Sequence, residues 1–150
     1  MFSTGHLTSG IAVGLLLGLH GDALGVFVAA SVLTDWDWPL GVLLRRNHRE
    51  LVTHSPPVYI VALGAAGFLQ HLLWVALAGS ILHFSLDVWE YGLRLNPFKN
   101  AIFGARLIPG IERMRFREYV TTYFRDKRFL AAEIAFAALA LVLLAVRGLG

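Results

Sequence analysis

Histidine and aspartate residues are concentrated at the ends of the apolar segments of this 150-residue chain. The set comprises four histidines and three aspartates: His6, Asp35, Asp37, His48, His54, His83 and Asp87. Imidazole and carboxylate are the ligands that borderline divalent metals such as Zn²⁺, Mn²⁺ and Fe²⁺ select. The chain contains no cysteine, which excludes thiolate ligands and thiol nucleophiles. The residue types therefore predict a centre for one or two divalent ions, with Zn²⁺ expected first and Mn²⁺ or Fe²⁺ as alternatives.

The composition indicates that a lipid bilayer covers part of the protein. Hydrophobic residues make up 57% of the chain and the mean hydropathy is +0.64. Only 15% of the residues are charged, against about 25% in ordinary soluble domains. The N-terminus has no basic stretch and no small-residue cleavage site, so a cleaved signal peptide is not expected. The sequence predicts an integral membrane protein.

Two long apolar blocks, residues 7–34 and 55–82, supply the elements that must position these side chains. Each block has a polar interruption at its middle, His20-Gly21-Asp22 in the first and Gln70-His71 in the second. A straight helix of such a block would be about 42 Å long, longer than a hydrocarbon core of about 30 Å. Each block is therefore predicted to form a helical hairpin, with Gly21 as a turn residue and helix cap. Whether these short arms span the bilayer or enter it only part-way stays open.

The hairpin arrangement predicts that the polar residues converge. His6 and Asp35 lie at the two ends of the first block, and His54 and His83 lie at the two ends of the second. Because each hairpin returns to the side from which it started, all four side chains are expected on the same side of the membrane. Asp87 follows His83 by four residues on one helix and shares its face. Asp35 and Asp37 flank Trp36, and in an extended stretch they point the same way.

The C-terminal part predicts an interfacial helix followed by a spanning helix. Residues 130–146 carry one charge, Glu133, which is expected at the membrane boundary, paired with Arg125 or Arg128. Before this helix, an apolar stripe with helical spacing comprises Phe116, Tyr119, Val120, Tyr123 and Phe124. Such a stripe suits a helix on an anionic membrane surface or a helix packed against the rest of the protein. The four tryptophans, Trp36, Trp38, Trp74 and Trp89, fall near helix ends and are expected at the interface.

A basic segment sets the predicted orientation. Residues 91–128 contain nine Lys and Arg against three Asp and Glu, a net charge of +6. Basic loops beside membrane helices stay in the cytoplasm, so the site is predicted to face the cytoplasm of a multi-pass membrane protein. A basic patch is also compatible with nucleic-acid binding, but no nucleic-acid partner is expected here.

The expected architecture is an all-α, membrane-embedded bundle in a single domain of 150 residues. Two helical hairpins in residues 1–92 carry the metal site. Residues 93–128 form the basic cytoplasmic loop and interfacial helix, and residues 129–147 form the C-terminal transmembrane helix.

Several motifs resemble those of the YdjM family. These are Thr4-Gly5-His6, Asp35-Trp36-Asp37, His48-Arg49 with Thr53-His54-Ser55, the set Ser80, His83 and Asp87, and the run from Gly92 to Asn96-Pro97-Phe98. The resemblance covers about residues 1–100. The spacing between Ser55 and His83 is short for the family, and the basic loop and C-terminal helix have no clear counterpart in it.

The resemblance implies a bacterial or archaeal inner-membrane protein of a family described as metal-dependent hydrolases and also associated with LexA binding. The family is grouped with zinc phospholipases C and P1-type nucleases, helical enzymes that cleave phosphoesters. Carried over, the implied metal ligands are His6, Asp35, His48, His54, His83 and Asp87. Asp37 is implied as a ligand or a base.

Three functions follow from these features. In the first, a membrane-bound hydrolase cleaves a phosphoester of a lipid or lipid-linked substrate. Asp37 or Asp87 would accept a proton, and Arg49, with Arg45 and Arg46, would hold phosphate or serve only topology. The second is a metal-ion carrier, and the third is a regulatory scaffold with a structural metal. Membrane lipids are the expected partners, and the oligomeric state is left open.

Overall fold

The computed structural model describes residues 3–44, 49, 51–90 and 116–148. In these ranges the elements are α1 (Ser3–Leu16), α2 (Gly21–Leu33), a 3₁₀ turn (Thr34–Asp37), α3 (Trp38–Leu43), a second 3₁₀ turn (Val52–His54), α4 (Pro56–Gly67), α5 (Leu72–Glu90), α6 (Phe116–Arg125) and α7 (Lys127–Gly148). The described ranges contain helices and no strand, so the predicted all-α fold is confirmed. His48, Arg45, Arg46 and residues 91–115 of the basic segment lie outside the described residues.

The first hairpin turns where the sequence predicts it, but the glycine that caps the end of α1 is Gly18, two residues after Leu16. The Gly18 N–H donates to the carbonyl of Leu15, and the Leu19 N–H donates to the carbonyl of Gly14. This pair of bonds is a Schellman motif, which places Gly18 in the left-handed region at φ +78°. Gly21 also has a positive φ, of +53°, but it begins α2 rather than capping α1.

The second hairpin turns at the polar interruption that the sequence predicts. Ser55 precedes α4, and the prolines that follow occupy its first turn, where a missing N–H costs nothing because it has no helical partner. α4 ends at Gly67, and the side-chain oxygen of Gln70 accepts a hydrogen bond from the Leu72 N–H at the start of α5. The polar pair Gln70-His71 therefore lies in the turn.

Helix α2 is the centre of the bundle and packs on α1 and α5, while α4 packs on α5 and α7 packs on α1. A Cβ placed on Gly79 of α5 would lie 2.3 Å from the carbonyl oxygen of Phe27 in α2. A Cβ on Gly10 of α1 would lie 2.3 Å from Ser31 Oγ, also in α2. Small residues at helix crossings let backbones approach closely, as in other membrane bundles. This close contact brings the C-terminal ends of α2 and α5 together.

Among the described residues, two helices are long and apolar enough to cross a bilayer, Leu72–Trp89 within α5 and Lys127–Arg147 within α7. α4 is apolar but shorter. The 14 residues of α1 and 13 of α2 give about 20 Å of helix each, less than the hydrocarbon thickness. The hairpin helices therefore differ in reach, and α5 is the longest of the four.

Helix α6 packs on α7 through an aromatic and polar contact. Tyr123 is fully buried, stacks on Phe129 with ring centroids 5.0 Å apart, and donates its hydroxyl hydrogen to Glu133 Oε1. Thr4 at the start of α1 donates to Glu133 Oε2 at 2.9 Å. Arg128, one of the partners expected for Glu133, binds Asp126 at 2.6 Å. Glu133 therefore joins three helices, which the prediction of a boundary charge did not include.

Replacing Glu133 with leucine is expected to loosen α6 from α7. The buried Tyr123 hydroxyl would lose this acceptor, at a cost of about 1–3 kcal/mol in the free energy of docking. Limited proteolysis between residues 116 and 126 measures the exposure. Adding Tyr123→Phe removes the stranded hydroxyl and is expected to restore much of the protection. Equal cleavage of wild type and Glu133→Leu would contradict this role.

Candidate metal centre

Four side chains from three parts of the chain meet at the C-terminal ends of α2 and α5. Asp35, His54, His83 and Asp87 each offer one ligand atom, and the four atoms lie within 4.8 Å of one another. Asp87 Oδ2 is 3.3 Å from His54 Nε2 and 3.4 Å from His83 Nε2, and Asp35 Oδ1 is 3.3 Å from His83 Nε2. Ligand atoms about 2.0–2.1 Å from a tetrahedral ion stand about 3.3 Å apart. These three separations therefore fit ligands of a single ion, and the wider span of the whole group requires the side chains to close around it.

Three local structures place the four ligand candidates. Asp35 lies in the 3₁₀ turn that continues α2, and its φ of −81° and ψ of +15° depart from α-helical values. His54 ends the second 3₁₀ turn, immediately before Ser55 and α4. His83 and Asp87 lie one turn apart on α5, as their spacing predicts. Three of the four are buried, and Asp35 is 21% exposed. The group is therefore accessible from outside the protein at Asp35.

The orientation of His83 is fixed from α2. His83 Nδ1 is 2.8 Å from the carbonyl oxygen of Ser31. A carbonyl oxygen can only accept, so Nδ1 carries a hydrogen and Nε2 is directed at Asp35 and Asp87. Ligand histidines in metalloproteins are held in this way by a carbonyl or carboxylate behind the ring. The Ser31 hydroxyl in turn donates to the carbonyl of His6 at 3.1 Å.

Asp37 lies behind His54 rather than in the four-residue group. Its Oδ1 is 3.4 Å from His54 Nδ1, on the opposite side of the ring from Asp87. Its Oδ2 accepts a hydrogen bond from Thr53 at 2.8 Å, and the side chain is fully buried. A buried carboxylate behind a ligand histidine orients the ring and raises its basicity. Burial lowers the pKa of His54, but contacts with Asp37 and Asp87 outweigh this effect and hold the pKa above its ordinary value.

His6 and Arg49 flank the group at Asp87. The His6 ring is fully buried and stacks on the His83 ring at 3.9 Å, with Nε2 3.5 Å from Asp87 Oδ1. The guanidinium of Arg49 lies 3.2 Å from the same oxygen and is only 6% exposed. Asp87 therefore directs one oxygen at His54 and His83 and the other at His6 and Arg49.

The charges and hydrogen bonds at the site fit a divalent cation. With neutral imidazoles, the carboxylates of Asp35, Asp37 and Asp87 and the guanidinium of Arg49 leave a net charge of −2, which is costly in a buried cluster. Both ring nitrogens of His6 and Nε2 of His83 are buried with no hydrogen-bond partner among the described residues. A divalent cation held by the four-residue group would balance the charge and give Nε2 of His83 an electron-pair acceptor, displacing any proton that it carries.

The structure brings together most of the residues that the sequence singles out. His6, Asp35, Asp37, Arg49, His54, His83 and Asp87 converge, whereas His48 lies outside the described residues. Roles as ligand, base or phosphate holder stay predictions. The remaining histidines, His20 and His71, lie in the two hairpin turns.

Sequence reasoning missed two supporting residues. Ser31 supplies the carbonyl behind His83, and the Tyr59 hydroxyl donates to the carbonyl of Thr34 at 3.1 Å while accepting from Trp36 Nε1 at 3.0 Å. Tyr59 thereby holds the turn that carries Asp35. The available signal for Ser31 was a polar residue four positions before Asp35, on the same face of an apolar helix. Tyr59 gave no comparable signal.

Replacing Asp37 with asparagine is expected to weaken metal binding by about 10–100-fold without abolishing it, because outer carboxylates tune the ligand histidine. Asp35→Asn, which changes a member of the four-residue group, is expected to weaken binding more. Competition with a chromophoric Zn²⁺ chelator measures both affinities. An Asp37→Asn loss as large as that of Asp35→Asn would make Asp37 a ligand.

The fold and the site together describe an all-helical membrane protein with a buried histidine–aspartate cluster. The sequence profile described as YdjM inner membrane protein matches residues 1–149, and the chain belongs to this family. The match extends well beyond the first 100 residues that the motifs suggest, so the basic segment and α7 are part of the family pattern. Comparison with curated proteins and with solved structures finds no significant match.

Proposed function

We propose that this protein is a membrane-bound, metal-dependent hydrolase that cleaves a phosphoester of a lipid or lipid-linked substrate on the cytoplasmic side. The observation that supports it is the group of four ligand atoms, from Asp35, His54, His83 and Asp87, within 4.8 Å. Two imidazoles and two carboxylates suit Zn²⁺ first, and Mn²⁺ or Fe²⁺ next. Such an ion supplies Lewis acidity, which polarises a phosphoryl oxygen and acidifies water.

Residues in and around the four-residue group would admit the substrate, bind its phosphate and accept a proton. Asp35, the partly exposed member, marks the side from which a substrate enters. Arg49 is the phosphate-binding residue, because its planar guanidinium can donate two parallel hydrogen bonds to phosphate oxygens. Asp87 Oδ1, which faces Arg49 at 3.2 Å, is the proton acceptor nearest to that phosphate. Asp37 keeps its bond to Thr53 and orients His54.

The membrane setting supports a lipid substrate and a cytoplasmic site. The site lies at the helix ends that precede the basic segment, residues 91–128, whose charge favours the cytoplasm. A site embedded at a membrane edge meets lipid phosphates at a high local concentration. A multi-pass arrangement follows if α5 and α7 both cross the bilayer.

A regulatory scaffold with a structural metal is the second candidate. A closed set of four protein ligands is typical of structural sites, whereas catalytic sites keep one position open. The burial of His54, His83 and Asp87 favours this candidate. The exposure of Asp35 and the nearby guanidinium of Arg49 favour the hydrolase.

The test is hydrolysis by purified protein in detergent, stripped of metal and reloaded with Zn²⁺, Mn²⁺ or Fe²⁺. Release of phosphate or headgroup from mixed micelles of diacyl phospholipids and lipid phosphates is measured for the wild type, Arg49→Gln and the remote control His20→Ala. The hydrolase predicts metal-dependent turnover that His20→Ala retains and Arg49→Gln loses. Stoichiometric metal with no turnover on any substrate would favour the scaffold, and no bound metal after reloading would exclude both.

A further inference from the structure

Around the turn that carries Asp35 and Asp37, the aspartates lie on the buried side and the neighbouring tryptophans on the exposed side. Residues 35–38 read Asp-Trp-Asp-Trp. Asp35, a member of the cluster, and Asp37, behind His54, have exposures of only 21% and 0%, whereas Trp36 and Trp38 are 58% and 50% exposed. Tryptophan favours the interface between hydrocarbon and headgroups. One short turn thus joins the metal centre to a pair of interfacial side chains.

The helix that follows continues the exposed apolar surface. α3 (Trp38–Leu43) consists only of apolar residues, glycine and proline, and Leu40, Leu43 and Leu44 are exposed. Six residues form about 9 Å of helix, far too short to cross a bilayer. In the sequence, Arg45 and Arg46 follow Leu44 directly. An exposed apolar surface beside arginines is typical of segments that lie in an anionic membrane interface.

We propose that Trp36, Trp38 and α3 form an interfacial anchor that embeds in the headgroup region of an anionic phospholipid leaflet. The anchor fixes the depth of the metal centre, because Asp37 is the immediate neighbour of Trp38. Along a 3₁₀ turn, the rise from Asp35 to Trp38 is about 6 Å. The headgroup layer of one leaflet is about 5–8 Å thick. The metal centre therefore lies at the depth of the lipid phosphates.

Depth-dependent fluorescence quenching tests the anchor without any assay of activity. Trp74→Phe and Trp89→Phe leave Trp36 and Trp38 as the fluorophores and preserve the bond between Trp36 and Tyr59. The protein is reconstituted in vesicles of phosphatidylcholine and phosphatidylglycerol that carry a nitroxide at the headgroup, near the ester or near the acyl terminus. The expected result is strongest quenching by the headgroup and ester nitroxides.

A reference for the bilayer centre comes from the same chain. Ala138 is exposed near the midpoint of α7, so Ala138→Trp, with the four native tryptophans changed to phenylalanine, reports deep quenching. Trp36 and Trp38 quenched most by the acyl-terminal nitroxide would overturn the proposed depth. Quenching by aqueous iodide alone would overturn the lipid anchor and show that Trp36 and Trp38 face water. Protection from every quencher, together with cross-linking between copies, would overturn it and show that a second copy covers them.

The anchor also specifies the substrate class, and this consequence rests on the proposed function. A phosphate that is still part of a bilayer phospholipid reaches the site without leaving the membrane. The double variant Trp38→Ser, Leu43→Ser is expected to lower hydrolysis of vesicle phospholipid at least tenfold and to retain hydrolysis of the soluble ester bis(p-nitrophenyl) phosphate. An equal loss of activity toward vesicle phospholipid and toward the soluble ester would overturn the assignment of a membrane phospholipid as the substrate. If neither substrate is hydrolysed by the wild type, the proposed function fails, and the quenching result still decides the anchor.

Discussion

Changing His83 to alanine is expected to reduce Zn²⁺ affinity by more than about 100-fold, the upper range for losing even an outer partner of a metal site. His83 Nε2 faces two carboxylate oxygens at 3.3 and 3.4 Å, and the hydrogen bond from Nδ1 to the Ser31 carbonyl holds the ring in that orientation. Removing the ring leaves three of the four ligand candidates and exposes the remaining carboxylates to each other's repulsion. Metal content after dialysis and chelator competition give the affinity.

Matched controls for this experiment are available in the chain. His20→Ala and His71→Ala remove histidines from the two hairpin turns and are expected to retain the wild-type affinity. Asp87→Asn preserves the shape of its side chain and is expected to lose the metal as His83→Ala does, which separates ligation from packing. Wild-type affinity in His83→Ala would show that the four-residue group does not hold the ion, and losses in all four variants would indicate general unfolding.

The convergence of the site was predictable because it depends on chain direction alone. Once each apolar block is recognised as too long for one helix, the ends of both blocks must lie on the same side. His54 and His83 then approach each other whatever the packing details, and the spacing of His83 and Asp87 places both on one face. The YdjM motifs gave the same residues independently.

The supporting contacts were not predictable because they depend on the register between helices. The carbonyl of Ser31 reaches His83 only because α2 and α5 pack closely at one particular register. Thr4 and Glu133 are 129 residues apart, and nothing local marks them as partners. The role of Asp37 was also open from sequence, since the alternation of Asp35 and Asp37 cannot show which carboxylate faces the cluster and which lies behind His54.

Changing Gly79 to alanine is expected to damage both stability and metal binding. The added methyl group would lie 2.3 Å from the Phe27 carbonyl oxygen and 3.1 Å from the Ala30 Cβ. The first of these atoms belongs to the α2 backbone and cannot rotate away, so the two helices must separate. Overpacking of this kind costs about 1–3 kcal/mol in the free energy of unfolding, and sometimes more. The separation would also move His83 away from Asp35, because the two residues lie on the opposing elements.

Gly25→Ala is the matched control, because it makes the same change in α2 where no atom lies within 4 Å of the new Cβ. There, replacing a helical glycine is expected to stabilise by about 0.5–1 kcal/mol. Thermal unfolding in detergent and Zn²⁺ affinity are measured for both variants. The close α2–α5 contact predicts a lower melting temperature and weaker binding for Gly79→Ala, with Gly25→Ala equal to or above wild type in both. If the two variants behave alike, the crossing at Gly79 does not position the site. If Gly79→Ala loses stability and keeps its affinity, the cluster tolerates helix displacement and His83 reaches the ion by side-chain adjustment alone.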